Sequence, residues 1–164
     1  MKKYTIDQLG LKKITLKEPG EYLIELTVPG AEAKVSGVFT TAGAEVSETK
    51  VTIHHKAPNT LANTTLKGAA RDQSKISFTG RIIIDQDCGN TNSFLTERIL
   101  LLSDEAKAEA IPDLEILTDD VKCSHAASIS RIPESQLFYL MSRGISRSQA
   151  EELIVAGFLE NKDE

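Results

Sequence analysis

Among 164 residues the chain carries two cysteines and three histidines, and one of each, Cys123 and His125, stand two positions apart. On a β-strand that spacing puts both side chains on one face, about 7 Å apart along the chain. A thiolate and an imidazole so placed can share a metal ion or activate each other. The alternative is packing, because free cysteine is among the residue types most often buried. The other thiol, Cys88, lies in the polar stretch DQDCGN at 85–90, which reads as an exposed turn. His54 and His55 are adjacent, so on a strand they point to opposite faces and one of them meets solvent. Asp119 and Asp120 diverge in the same way and suit a turn ahead of Cys123 better than a carboxylate dyad. Nucleophile-elbow, P-loop, zincin and paired-cysteine zinc motifs are all missing. No enzymatic reaction is assigned to the chain.

Composition narrows the setting for this chemistry. The net charge of −5 argues against nucleic acid, which demands a basic face. Apolar runs such as 99–102 extend over only four or five residues, far short of the roughly 20 that a spanning helix requires. MKKYTIDQLG lacks the apolar core of a secretory signal. Two cysteines without such a signal fit a reducing, cytoplasmic location.

The elements that must position these groups are mostly strands. The clearest is 75–84, where Ile76, Phe78, Gly80, Ile82 and Ile84 alternate with polar residues. Further apolar segments fall at 22–28, 35–39, 46–53, 99–102, 114–117 and 121–132, with turns between them. That spacing fits a β-sandwich, a barrel or a β-solenoid, and periodicity alone does not choose among them. The period changes after Pro133. Leu137, Leu140 and Met141 define one helical face. Gly144 is placed to end that helix in the left-handed region. Ser146 and Gln149 have capping-box spacing for a second helix with Ala150, Leu153, Ile154, Gly157 and Phe158 on one side. The expected organisation is a cap or arm at 1–20, a β-rich body at 21–132, a helical segment at 133–160 and a polar tail at 161–164.

Several stretches, taken together, resemble one family. They are HKAPNT at 55–60, KG at 67–68, FTGRI at 78–82, LLLSDEA at 100–106, IPDLEI at 111–116, DVKCSHAA at 120–127, LFYLMSRGI at 137–145 and AEELIVAGF at 150–158. In order and spacing they are similar to the SufB/SufD family, the core components of the SUF iron–sulfur cluster assembly machinery. The resemblance covers roughly residues 20–160.

The resemblance implies a short right-handed parallel β-helix, entered well into its length, with a C-terminal helical hairpin. It implies pairing of two family members through their β-helices, here a second SufB/SufD-like subunit or a second copy of this chain. It also implies docking of a SufC-type ABC ATPase on the helical segment, through Phe138, Tyr139, Arg143, Gly144, Ile145 and Phe158. Cys123 and His125 match the C-x-H of SufD-type members, which is linked to cluster or iron handling near the subunit interface. His55 and Cys88 are further candidates. Ala106 stands where SufB-type members place their cluster cysteine, so the chain looks SufD-like. Ala126, Ala62 and Cys88 depart from the Gly, Ser and Ala common in the family.

A cluster usually takes four protein ligands, mostly thiolates. One chain with two distant cysteines therefore offers half a site, completed across an interface. The reading is a scaffold or accessory subunit holding a transient iron–sulfur cluster. The alternative is an interaction module that docks the ATPase without a cluster. A polysaccharide-cleaving β-helix enzyme is the remote third.

Overall fold

The structure is a computed structural model that describes residues 1–160, so the tail expected at 161–164 lies outside the described residues. Ten strands precede two helices: β1 (Lys2–Ile6), β2 (Gly10–Leu16), β3 (Gly20–Leu26), β4 (Ala31–Thr41), β5 (Val46–His55), β6 (Leu61–Ala70), β7 (Lys75–Ile84), β8 (Thr91–Leu101), β9 (Lys107–Ile116), β10 (Val121–Arg131), α1 (Glu134–Ser142) and α2 (Arg147–Leu159). Odd strands form one five-stranded sheet in the order β1-β3-β5-β7-β9, and even strands form the other in the order β10-β8-β6-β4-β2. Every neighbouring pair is parallel and shares no turn. Each odd–even pair is one rung of a parallel β-solenoid, and the sandwich and barrel alternatives fall away.

Stacking in register turns the period-two pattern of each strand into columns through the core. One column runs Tyr4–Ile24–Ile53–Ile82–Leu114, and the next runs Ile6–Leu26–His55–Ile84–Ile116. Ile24, Ile53 and Ile82 are fully buried. Each such side chain contributes about 1.5–3 kcal/mol relative to an exposed one. Phe39 and Phe78 meet edge to face with centroids 5.8 Å apart. Gly68 makes room for this contact, since a Cβ there would stand 3.1 Å from the Phe78 ring.

Residues 1–20, expected as a cap or arm, are the first rung of the solenoid. β1 pairs with β3 and β2 pairs with β4. β6 was not anticipated at all. Its inward residues are Ala62, Thr64, Leu66, Gly68 and Ala70, too small and polar to print an apolar alternation.

The helical hairpin ends and begins as its residues dictate. Pro133, after which the period changes, is the N-cap of α1. Gly144, at φ +86°, follows the C-cap Arg143. The N–H of Gly144 bonds the Met141 carbonyl and that of Ile145 bonds the Leu140 carbonyl, which is a Schellman motif. Ser146 and Gln149 form the complete capping box of α2. Arg147 ties the helices together through both oxygens of Glu134, at 2.7 and 3.2 Å. Leu137 and Ala150 are the buried residues of α1 and α2.

Candidate functional site

β9 and β10 are the last strands of their sheets, so no rung covers them. Their inward residues continue the core columns yet meet solvent. Leu114 is 46% exposed, Ile116 38% and Ile129 46%. The closed interior of the solenoid therefore opens at this end onto an apolar mouth. Cys123 and His125 face the same way in it, as their spacing predicted. Cys123 is half-buried and packs with Val121 against the inner cluster of Ile82, Ile84, Cys88 and Leu95. Burial pushes its thiol above the ordinary range, so it is protonated at neutral pH and must lose a proton to bind a metal.

His125 lies deeper. Its side chain is 3% exposed and its Nε2 is 3.1 Å from Oε2 of Glu97, whose side chain is fully buried. Burial pushes the Glu97 carboxyl up, and the hydrogen bond from His125 partly counters this. Among the described residues two atoms of this pair have no hydrogen-bond partner: Glu97 Oε1 and His125 Nδ1. Gly80 on β7 faces them. A Cβ there would stand 2.7 Å from His125 Cε1 and 2.8 Å from Glu97 Oε1, so a side chain at residue 80 would force the pair to shift.

The sequence reading missed Glu97. Its signal was available: in TNSFLTERILL the inward Leu95 and Ile99 force the residue between them inward as well. Among the described residues no three His, Cys, Asp or Glu side chains come together as a complete metal site. The donor set at the mouth is one sulfur and one nitrogen, which suits iron or another borderline to soft metal but only in part.

Of the other candidates, Cys88 belongs to the inner cluster that Cys123 packs against, and His55 lies on β5. His55 is fully buried in the aliphatic column of β5. Thr60 donates its hydroxyl proton to the Ala57 carbonyl, so its oxygen accepts from His55 Nδ1–H at 2.7 Å. The Ser93 hydroxyl then donates to Nε2 at 3.0 Å. Both nitrogens are used, and burial lowers the ring to a pKa of about 4. His55 is therefore neutral at pH 7, with Ser93, the register partner of Cys123, on its Nε2 side. His54 points outward as the adjacency rule required, with Nε2 2.9 Å from Asp85.

Cys88 corrects an expectation. It is buried at 3% exposure rather than exposed, because the bend at Asp87 (φ +59°) leaves the acids outside and turns the thiol beneath Ile82, Ile84 and Leu95. Burial raises its pKa too. Asp120 makes the turn expected of it, accepting the Asn90 N–H at 3.1 Å.

The helical hairpin keeps much of its apolar surface uncovered. Phe138 is 75% exposed, and Tyr139, Met141 and Leu153 are exposed with it. Arg143 lies over the Tyr139 ring at 5.3 Å. Ile145 and Phe158 are half-buried, and Gly144 is exposed at the bend between the helices.

Comparison with known proteins bears on both regions. The family described as "SUF system FeS cluster assembly, SufBD core domain" matches residues 13–158. An iron–sulfur cluster assembly SufBD family protein of Staphylococcus saprophyticus is 32% identical over 148 residues, 90% of this chain and 31% of that protein. Proteins of the same description from Staphylococcus epidermidis and Staphylococcus aureus (strain USA300) match with the same identity and coverage. The chain thus spans about a third of the length of the curated relatives it matches. No helix among the described residues is long and apolar enough to cross a membrane.

Proposed function

The chain belongs to the SufBD family of the SUF iron–sulfur cluster assembly system, and from that premise we propose that it serves cluster assembly as a scaffold or accessory subunit. In this reading Cys123 and His125 are half of a site for iron or a transient cluster. The other half comes from a second SufB/SufD-like chain seated on the open end of the solenoid, in the simplest case another copy. A two-fold axis there would join two thiolates and two imidazoles, four donors of the kinds that iron–sulfur centres accept. A SufC-type ABC ATPase would dock on the helical hairpin at Phe138 and Tyr139, with Arg143, Gly144, Ile145 and Phe158 around them.

One observation carries this reading: the core columns of the solenoid end uncovered at β9 and β10, and Cys123 stands in that opening. An apolar interior left open in this way favours a partner that closes it. A second reading, a docking module without cluster chemistry, is favoured by the commitment of His125 Nε2 to Glu97.

Anaerobic reconstitution with iron and sulfide separates the two. Visible absorbance in the wild type that is lost in Cys123→Ser supports the half-site. Equal, negligible absorbance in both, with capture of a SufC-type ATPase retained, supports the docking module.

A further inference from the structure

The two nitrogens of His125 are not equivalent in this fold. Glu97 occupies an inward column between Leu66 and Ala127, where an apolar residue would be cheaper to bury. Its Oε2 meets His125 Nε2 at 3.1 Å, and among the described residues nothing partners His125 Nδ1. Gly80 holds the space open for both side chains.

We propose that Glu97 is a positioning residue that holds His125 by Nε2 and leaves Nδ1 as the nitrogen that takes a metal ion beside the Cys123 thiolate. The proposal rests on the reading of Cys123 and His125 as a metal-handling pair. The physical logic is general. A metal-bound imidazole that donates its other N–H to a carboxylate has its ring orientation fixed and its basicity raised. Such a carboxylate sits behind the ring, on the side away from the metal, as Glu97 does relative to Nδ1. A buried carboxylate in an aliphatic column costs stability, and the imidazole is its one hydrogen-bond partner. Binding releases the thiol proton of Cys123 to solvent. β10 is the terminal strand of its sheet, so no further rung lies over this pair, and an ion reaches the buried Nδ1 by displacing side chains at the mouth rather than by parting a rung.

Cadmium-113 on the full chain labelled with 15N-histidine tests the assignment. Long-range proton–nitrogen spectra of the wild type are expected to show the metal on His125 Nδ1 with the Nε2 proton retained. Glu97→Leu is expected to weaken cadmium binding by about 10–100-fold. Glu97→Gln, whose side-chain oxygen still accepts from Nε2–H, is expected to retain affinity within a few-fold. Metal on Nε2, or undiminished binding in Glu97→Leu, overturns the positioning role and leaves the half-site reading intact. Cadmium that perturbs neither Cys123 nor His125 overturns the half-site reading, and the positioning role falls with it. The wild-type spectra decide the nitrogen even where a variant folds poorly.

Discussion

His55 and His125 both point into the solenoid, and their surroundings give them opposite chemistry. His55 sits in a rung with neighbours on both sides, its two nitrogens satisfied by Thr60 and Ser93. His125 sits in the last strand of its sheet, one nitrogen held by Glu97 and the other without a partner. An unsatisfied buried group costs roughly 1–3 kcal/mol, and in its covered rung His55 avoids that cost at both nitrogens, as the hydroxyls of Ser47, Thr49 and Thr64 in covered rungs do not. An uncovered rung can leave the missing partner to another molecule. Position in the stack, more than residue type, separates a structural histidine from a candidate ligand.

The contrast is sharpest in one column, where Ile82 is register partner to Leu114. Ile82→Ala is expected to cost about 2–5 kcal/mol in chemical denaturation of the isolated chain. Leu114→Ala, at a position already half open to water, is expected to cost under about 1 kcal/mol. Equal costs would mean that the mouth is covered in solution, with the free chain already paired.

Acid should act on the covered histidine. His55 has a folded pKa of about 4 against an ordinary value of 6.5, so between these values the unfolded chain binds a proton that the folded chain refuses. Stability is therefore full above about pH 6.5 and falls as pH drops toward 4, by about 3 kcal/mol from this group. Denaturation of wild type and His55→Gln across that window should show a steeper fall in the wild type. Parallel curves would remove His55 from the account.

Thiol labelling makes a smaller distinction of the same kind. Burial raises both thiols, but Cys88 lies inside and Cys123 at the mouth. An aromatic disulfide reagent at pH 8 should modify Cys123 at least about tenfold faster, following accessibility of the thiolate. Faster reaction at Cys88 would show that the corner at Asp87 opens. The smallest effect on stability belongs to Phe138→Ala, within about 0.5 kcal/mol at so exposed a position. The same variant should lose capture of a SufC-type ATPase, and a variant that still binds it would move the docking surface elsewhere.

The strands that could be read from sequence are those whose inward residues are large. The stretch 75–84 announced β7 to the residue, and the capping box announced the start of α2. β6 was hidden because its inward alanines and glycine are small to admit the Phe39 and Phe78 rings of neighbouring turns. The parallel stack was hidden because alternation reports a half-buried strand and says nothing of its partner. The shared face of Cys123 and His125 followed from spacing alone. Cys88 misled because its polar neighbours describe the outside of a corner whose thiol points in. Glu97 escaped notice because a carboxylate between two hydrophobic residues looks like an ordinary outward residue until the parity of β8 is counted.

The central claim is that the open end carries half of a site. Native mass spectrometry of the full chain after anaerobic iron and sulfide loading measures subunit count and bound metal in one spectrum. The account predicts iron and sulfide mass on two-subunit species alone, absent from Cys123→Ser. A cluster carried by single chains, or retained on Cys123→Ser, would contradict it.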